Sequence, residues 1–474
     1  MKRIFKYFLT ACVAMALTAC TGNPVERAVR DAFLTGDTTA ARYDSICHLI
    51  TATPDRYQQF VDDKGIINVE QLQAYINEVG QGLRPPMTWN ITGYGLGEPS
   101  LAIYFERSGS MVPYDTQGGA GQLKKAVNDL INFFPGSDVD IHIVNDDIYP
   151  YKGSVDDFLQ DRDIYASTAG VGNAATTDFK RIFEKILEAQ PAGSVAVLVT
   201  DMIYSPADTR ELSVEKIFNE EQSLAMSLMK KYKDKSFIVS RFSGDYHGNY
   251  YPYNGAPVNY NGQRPFYLIV IADAATLDRL AGDSRYARLL TPPGAQHTFR
   301  FNQPTRDVDA CLVLDWWQDA GRYRLDRDAA LTLTNVEGDH TTGILAFTVA
   351  ANFAPLCLPP EYVTDAANYE VRSQSGYTLT VRPINEDDFN NNNREYLEGK
   401  THLLFFKGKP ATPRDELTVA LRRTYPTWVA GATTADDRVP DATTTFGLDQ
   451  FLRGLYDGSG GDGTYTQLTI HLNK

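Results

Sequence analysis

The chain is poor in cysteine, poor in positive charge and, past its first twenty residues, free of long apolar runs. Five cysteines serve 474 residues, and Cys47, Cys311 and Cys357 stand far apart with no CxxC among them. That argues against a disulfide scaffold or a zinc site, and leaves either a Cys311–Cys357 bridge or free buried thiols. Lys and Arg number 45 against 59 Asp and Glu, a net charge of −14. Nucleic acid and anionic lipid are poor partners for so acidic a chain, whereas hard cations suit it. No apolar run after residue 20 approaches the ~20 residues that span a bilayer. No repeat period is present either.

The amino-terminal residues read as a targeting segment. Lys2, Arg3 and Lys6 form a basic region and residues 7–17 an apolar one. Leu17-Thr18-Ala19-Cys20 then resembles the lipobox of bacterial lipoproteins, which implies a signal peptide over 1–19 and lipidation of Cys20. The alternatives are an ordinary secretory signal or an uncleaved anchor. Several acyl chains on one cysteine anchor stably where a single chain does not. Thr21 stands where such lipoproteins carry an Asp for inner-membrane retention, which points to the outer membrane. Removing residues 1–19 removes three positive charges and takes the net charge from −14 to −17.

The rest divides into three by pattern, a multidomain α/β plus β organisation. Residues 20–87 carry apolar residues at helical spacing and close on Arg84-Pro85-Pro86. Residues 88–290 alternate strand and helix, with strands expected at 101–105, 139–144, 194–200, 236–242 and 266–272. Helices are expected at 122–134, 178–189, 212–232 and 275–280, the alternation of a doubly wound, mostly parallel sheet. Residues 291–474 show short alternating runs between Asn/Asp/Gly/Pro clusters, a β-sandwich-like region of one or two domains. One helix, 446–456, interrupts it, with Thr445 as a candidate N-cap.

The chemistry concentrates at 101–110, LAIYFERSGS. A buried-strand run ends in Glu106, Ser108 and Ser110, whose alternation lets three oxygen groups point one way. In open α/β sheets ligands bind outside the carboxyl ends of the strands. Two other segments add oxygens: Thr176-Thr177-Asp178 opens the helix at 178–189, and the apolar strand 194–200 ends in Asp201.

This order resembles the metal-ion-dependent adhesion site of von Willebrand factor type A domains over roughly residues 95–285. The family motif reads Asp-x-Ser-x-Ser, with a threonine before a later helix and an Asp after a later strand. Here Glu106 takes the first position, Thr177 (or Thr176) the threonine, and Thr200-Asp201-Met202 the usual Thr-Asp-Gly. The resemblance implies Mg²⁺ or Mn²⁺ held by Glu106, Ser108, Ser110, Thr177 and Asp201. Such ions take about six oxygen ligands, and neutral hydroxyls leave the ion able to accept a carboxylate from a protein partner. Adhesion or envelope assembly is the function implied.

Residues 243–265 read as a loop of about 20 residues leaving the sheet at the same end, with Tyr246, Tyr250, Tyr251, Tyr253 and Tyr260 among Gly, Asn and Pro. Exposed tyrosines would suit a protein or glycan partner, the basis of a second reading as a glycan-binding lipoprotein; tucked rings would make the loop self-packed. No catalytic base–nucleophile pair is legible, so the chain does not read as an enzyme. Gly118-Gly119-Ala120-Gly121 matches neither phosphate-loop pattern.

Overall fold

Three helices open the described part of the chain: α1 (Pro24–Thr35), α2 (Ala40–Ala52) and α3 (Val69–Gln81). Apolar residues three and four apart give each one a buried stripe, and Val29, Phe33, Ile46, Ile50, Leu72 and Ile76 meet in a core closed by Trp89. Asn68 caps α3 by accepting the Gln71 amide. The computed structural model describes residues 23–474 except 36–37, 39, 62–66, 85–86, 88, 90, 92–97, 115–120, 137, 176, 204–212, 254, 282, 315, 317, 327–328, 330, 357, 391 and 462. The expected signal peptide with Cys20, and Thr176, Cys357 and residues 118–120, therefore lie outside the described residues. Among the described residues no helix is long and apolar enough to cross a membrane.

The alternating region builds a seven-stranded mixed sheet. Its strands are β1 (Leu101–Glu106), β2 (Val139–Val144), β3 (Ile148–Pro150), β4 (Val195–Thr200), β5 (Lys235–Tyr250), β6 (Val258–Asp273) and β7 (His297–Phe301). They lie in the order β3-β2-β1-β4-β6-β5-β7. Against α4 (Gln122–Asn132), α5 (Val155–Gln160), α6 (Ile164–Ser167) and α9 (Ala274–Ala281), one face buries Ile103, Phe105, Val197 and Leu268. The other buries Tyr104, Leu198, Val239 and Ile269 under α7 (Phe179–Ala189) and α8 (Val214–Lys231). β4, VAVLVT, is buried at every position, as a strand covered on both faces must be.

The expected mostly parallel sheet needs correction. Only β2, β1 and β4 run parallel side by side; β4–β6, β6–β5 and β5–β7 are antiparallel. The cause is the segment read as a long loop. β5 and β6 continue through residues 243–250 and 258–265 as one hairpin, with Tyr250 opposite Val258. Consecutive strands joined by a short turn must be antiparallel.

The division at 290/291 also moves. β7 closes the α/β sheet rather than starting the β region. From further along, α10 (Leu448–Gly458) lies on α8, stacking Phe451 on Phe183 at 5.2 Å and adding Leu452 and Leu455 to the sheet's core. Its N-cap is Gly447 at φ +72 rather than Thr445.

The β region is a single sandwich with one shared core. β8 (Ala310–Val313), β11 (Leu345–Ala351), β13 (Thr378–Pro383) and β14 (His402–Gly408) make one sheet. β9 (Arg322–Leu325), β10 (Thr332–Glu337), β12 (Tyr369–Arg372), β15 (Arg414–Arg423) and β18 (Gly463–Asn473) make the other. Phe347, Val349, Leu404, Leu417, Val419 and Ile470 face one another between them. Between β15 and β18 the chain leaves for the α/β layer, forms the two-residue pair β16 (Thr433–Thr434) and β17 (Thr445–Phe446), then α10, and returns. Cys311 is a free thiol, donating to the Tyr396 carbonyl at 3.3 Å, and burial pushes its pKa up to about 11.

The α8–α10 contact yields two predictions. A Cβ on Gly454 would lie 2.6 Å from both the Ala225 Cβ and the Gln222 carbonyl oxygen. Gly454→Ala should therefore lower the urea midpoint, by about 1–3 kcal/mol of overpacking, despite the ~1 kcal/mol that helix propensity offers alanine. Glu221, 3% exposed, has an Oε2 without a hydrogen-bond partner, and burial holds its carboxyl well above the usual 4.5. The folded chain keeps a proton that the unfolded chain releases above pH 4.5, so this residue lowers stability as pH rises from there toward its raised folded value. Denaturation of Glu221→Gln beside the wild type should show the variant gaining relative stability between pH 4 and pH 8; a pH-independent difference would refute this assignment.

Candidate metal centre

β1 and β4 are adjacent and parallel, with Phe105 opposite Val199, so their carboxyl ends emerge side by side. Glu106 ends the first and Asp201 follows the second. The turn after β1 is held by backbone: Arg107 N–H donates to the Val144 carbonyl at 2.8 Å and Gly109 N–H to the Ala174 carbonyl at 3.0 Å. The second bond ties the serine turn to the segment that enters α7. There Asp178 accepts the Arg181 amide as N-cap, which leaves the preceding Thr177 pointing back at the strand ends.

All five residues expected from the sequence come together in a buried cluster of oxygens. Thr177 Oγ1 donates to Glu106 Oε1 at 2.7 Å, and the Ser108 and Ser110 hydroxyls lie 3.0 Å apart. Asp201 Oδ1 accepts the Ile203 amide at 3.1 Å. Glu106 is 0% exposed, Asp201 and Thr177 1%, and Ser108 6%. Yet Glu106 Oε2 and Asp201 Oδ2 have no hydrogen-bond partner. Leaving such atoms bare is costly, because burial strips the water that would otherwise satisfy them.

Electrostatics reflects the crowding. Burial pushes the Glu106 carboxyl up to about 8, with the neighbouring Asp201 charge adding to the rise and the hydroxyls of Thr200, Thr177 and Ser108 opposing it. Burial raises Asp201 as well, against the Ser110 hydroxyl and the Ile203 amide. Two carboxyl groups in one dry site resist ionising together.

Arg107 and Met202, next to the two carboxylates, are both placed away from the oxygen cluster. Arg107 turns away: its Nε donates to Thr168 Oγ1 at 3.0 Å and its Nη2 to the Tyr165 carbonyl at 2.9 Å. It therefore does not neutralise the adjacent Glu106. Met202 takes φ +59, a left-handed conformation that favours glycine, and keeps it because its side chain is buried beneath the sheet.

The tyrosines are corrected in part. Tyr246 and Tyr250 are fully buried, Tyr246 edge-on to Tyr114 at 4.9 Å and Tyr250 donating to Asp437 at 2.9 Å. Tyr253 stacks on Phe446 at 5.2 Å, and half-buried Tyr260 leans on Tyr246 at 6.0 Å. Only Tyr251 of the five is exposed, at 48%, with its ring edge beside Gly109 in the serine turn. The alternation Gly244, Tyr246, Gly248, Tyr250 is the missed signal: one face of a strand, with small residues where Phe266 and Pro113 press close.

The sequence reading also missed Arg264 and Asp437, which are 2% and 4% exposed. Arg264 lies on β6 and its charge attracts Asp201. Asp437, from the far end of the chain, accepts both the Tyr250 hydroxyl and the Tyr253 amide. No local pattern marks either residue.

A hard cation fits the donor set: two carboxylates, each with one bare oxygen, and three hydroxyls. Among the described residues no group of three or more His, Cys, Asp or Glu is placed to hold a metal, so any cation here would depend on the hydroxyls. Comparison with family models, curated proteins and solved structures finds no match.

Thr177→Val removes the hydroxyl that donates to Glu106 Oε1 at nearly constant volume. In metal-free protein it should cost about 1–3 kcal/mol in a urea titration, with Thr177→Ser close to wild type. A loss in Thr177→Ser with none in Thr177→Val would show that the methyl group, not the hydroxyl, matters.

Proposed function

We propose that the chain is a lipid-anchored extracytoplasmic binding protein whose α/β domain is of the von Willebrand factor type A kind. It recognises a protein partner through Mg²⁺ or Mn²⁺ at the carboxyl end of β1 and β4. The observation that carries this reading is the pair of partnerless oxygens, Glu106 Oε2 and Asp201 Oδ2, inside one cluster with Ser108, Ser110 and Thr177.

Glu106, Ser108, Ser110, Thr177 and Asp201 would hold the ion, directly or through water. A bound ion would supply electrophilic character for a carboxylate from the partner. Glu106 and Asp201 would each gain a partner for a bare oxygen and lose their mutual repulsion. The hydroxyls add ligands without adding negative charge, which keeps the ion electron-poor. Tyr251 and the half-buried Ser110 form the rim nearest the outside. Adhesion and assembly of an envelope complex both fit a tethered protein with such a site, and Cys20 would be the tether. The glycan reading has less support, since Tyr246 and Tyr250 are buried and Tyr251 alone of the five tyrosines is exposed.

Calorimetric titration of Mg²⁺ and Mn²⁺ should show one saturable site in the wild type. Asp201→Ala and the double variant Ser108→Ala/Ser110→Ala should fold and lose it. Binding that survives in folded Asp201→Ala would remove Asp201 from the site; no binding in the wild type would refute the reading.

A further inference from the structure

The segment between β16 and β17 crosses the outer half of the β5–β6 hairpin as a strap. Each of its fastenings is polar and specific. Asp437 accepts the Tyr250 hydroxyl at 2.9 Å and the Tyr253 amide at 3.0 Å. The Asp441 carbonyl accepts Arg264 Nη1 at 3.1 Å, and the Thr443 carbonyl accepts Arg241 Nη2 at 2.7 Å. Thr445 and the Tyr267 hydroxyl lie 2.9 Å apart.

Arg264 belongs to both neighbourhoods. It lies on β6, the strand beside β4, three residues from the Tyr267 that pairs with Thr200 next to Asp201; its guanidinium sits 4.4 Å from the Tyr250 ring centroid, and its charge attracts both the Asp201 and the Asp437 carboxylates. Nε and Nη2 have no hydrogen-bond partner, although the residue is 2% exposed. A guanidinium so poorly hydrogen-bonded stays in a dry site through the field of the surrounding carboxylates and rings.

We infer that Arg264 makes the strap a latch on the cation site: a divalent ion seated between Glu106 and Asp201 repels the guanidinium and loosens residues 437–445, and the closed strap in turn weakens cation binding. The inference rests on the cation reading above. A second positive charge of two units near Asp201 cancels the attraction that retains Arg264, and the cost passes to the strap through the Asp441 carbonyl. Linkage makes the effect reciprocal, so whatever the cation does to the strap, the strap does to the cation.

The test uses Mn²⁺ alone as probe. Amide exchange of residues 437–445 and of the Tyr253 amide in the wild type should accelerate at saturating Mn²⁺, and not in Ser108→Ala/Ser110→Ala. Calorimetry of Arg264→Met, neutral and of comparable length, should give Mn²⁺ affinity raised roughly tenfold, within the usual range of such couplings. Saturable binding in the wild type with unchanged strap exchange would overturn the latch and leave the cation site standing, whatever Arg264→Met does. No binding in the wild type would overturn both.

Discussion

Two carboxyl groups without enough partners set the terms for this fold. Parallel pairing of β1 and β4 delivers Glu106 and Asp201 to the same place, and the helices on both faces deprive that place of water. Everything around it answers the resulting electrostatic problem. Thr177 donates to one oxygen, an amide donates to another, and Arg264 lends a charge from the next strand. What they leave unanswered is one bare oxygen on each side chain, a demand suited to a small hard cation.

The same region shows how strain and burial are distributed. Met202 holds a left-handed backbone at the end of β4, and two arginines, Arg241 and Arg264, are buried where a strap of main-chain carbonyls can meet them. Each of these is a cost to stability in a water-poor place.

Much of this was legible in the sequence wherever physics is local. β2 runs over 139–144 as its alternation predicts, and α7, α8 and α9 start and stop within about two residues of their apolar stripes. The five oxygen-bearing residues are named through the resemblance, which puts each just after a strand or just before a helix, and the structure brings them near one another. The hairpin was not legible: glycines and prolines in 243–265 imitate a loop, and only the tertiary press of Pro113 and Phe266 explains the glycines at 248 and 244. Nor could spacing place α10 on α8, or Asp437 on Tyr250, since contacts between residues some 190 apart leave no periodic trace. The boundary drawn at 290 failed for the same reason: β7 pairs with β5 through hydrogen bonds that its own composition does not announce.

That exchange of segments couples the two halves of the molecule in time as well as in space. The α/β core lacks α10 until the chain has passed through most of the sandwich, and the sandwich lacks β18, the strand between β15 and β10, until the chain has come back. Neither half is finished when its first strands are made. Contacts over such separations are slow to close, and β15 has no partner on its β18 side, nor α8 a cover from α10, until they do.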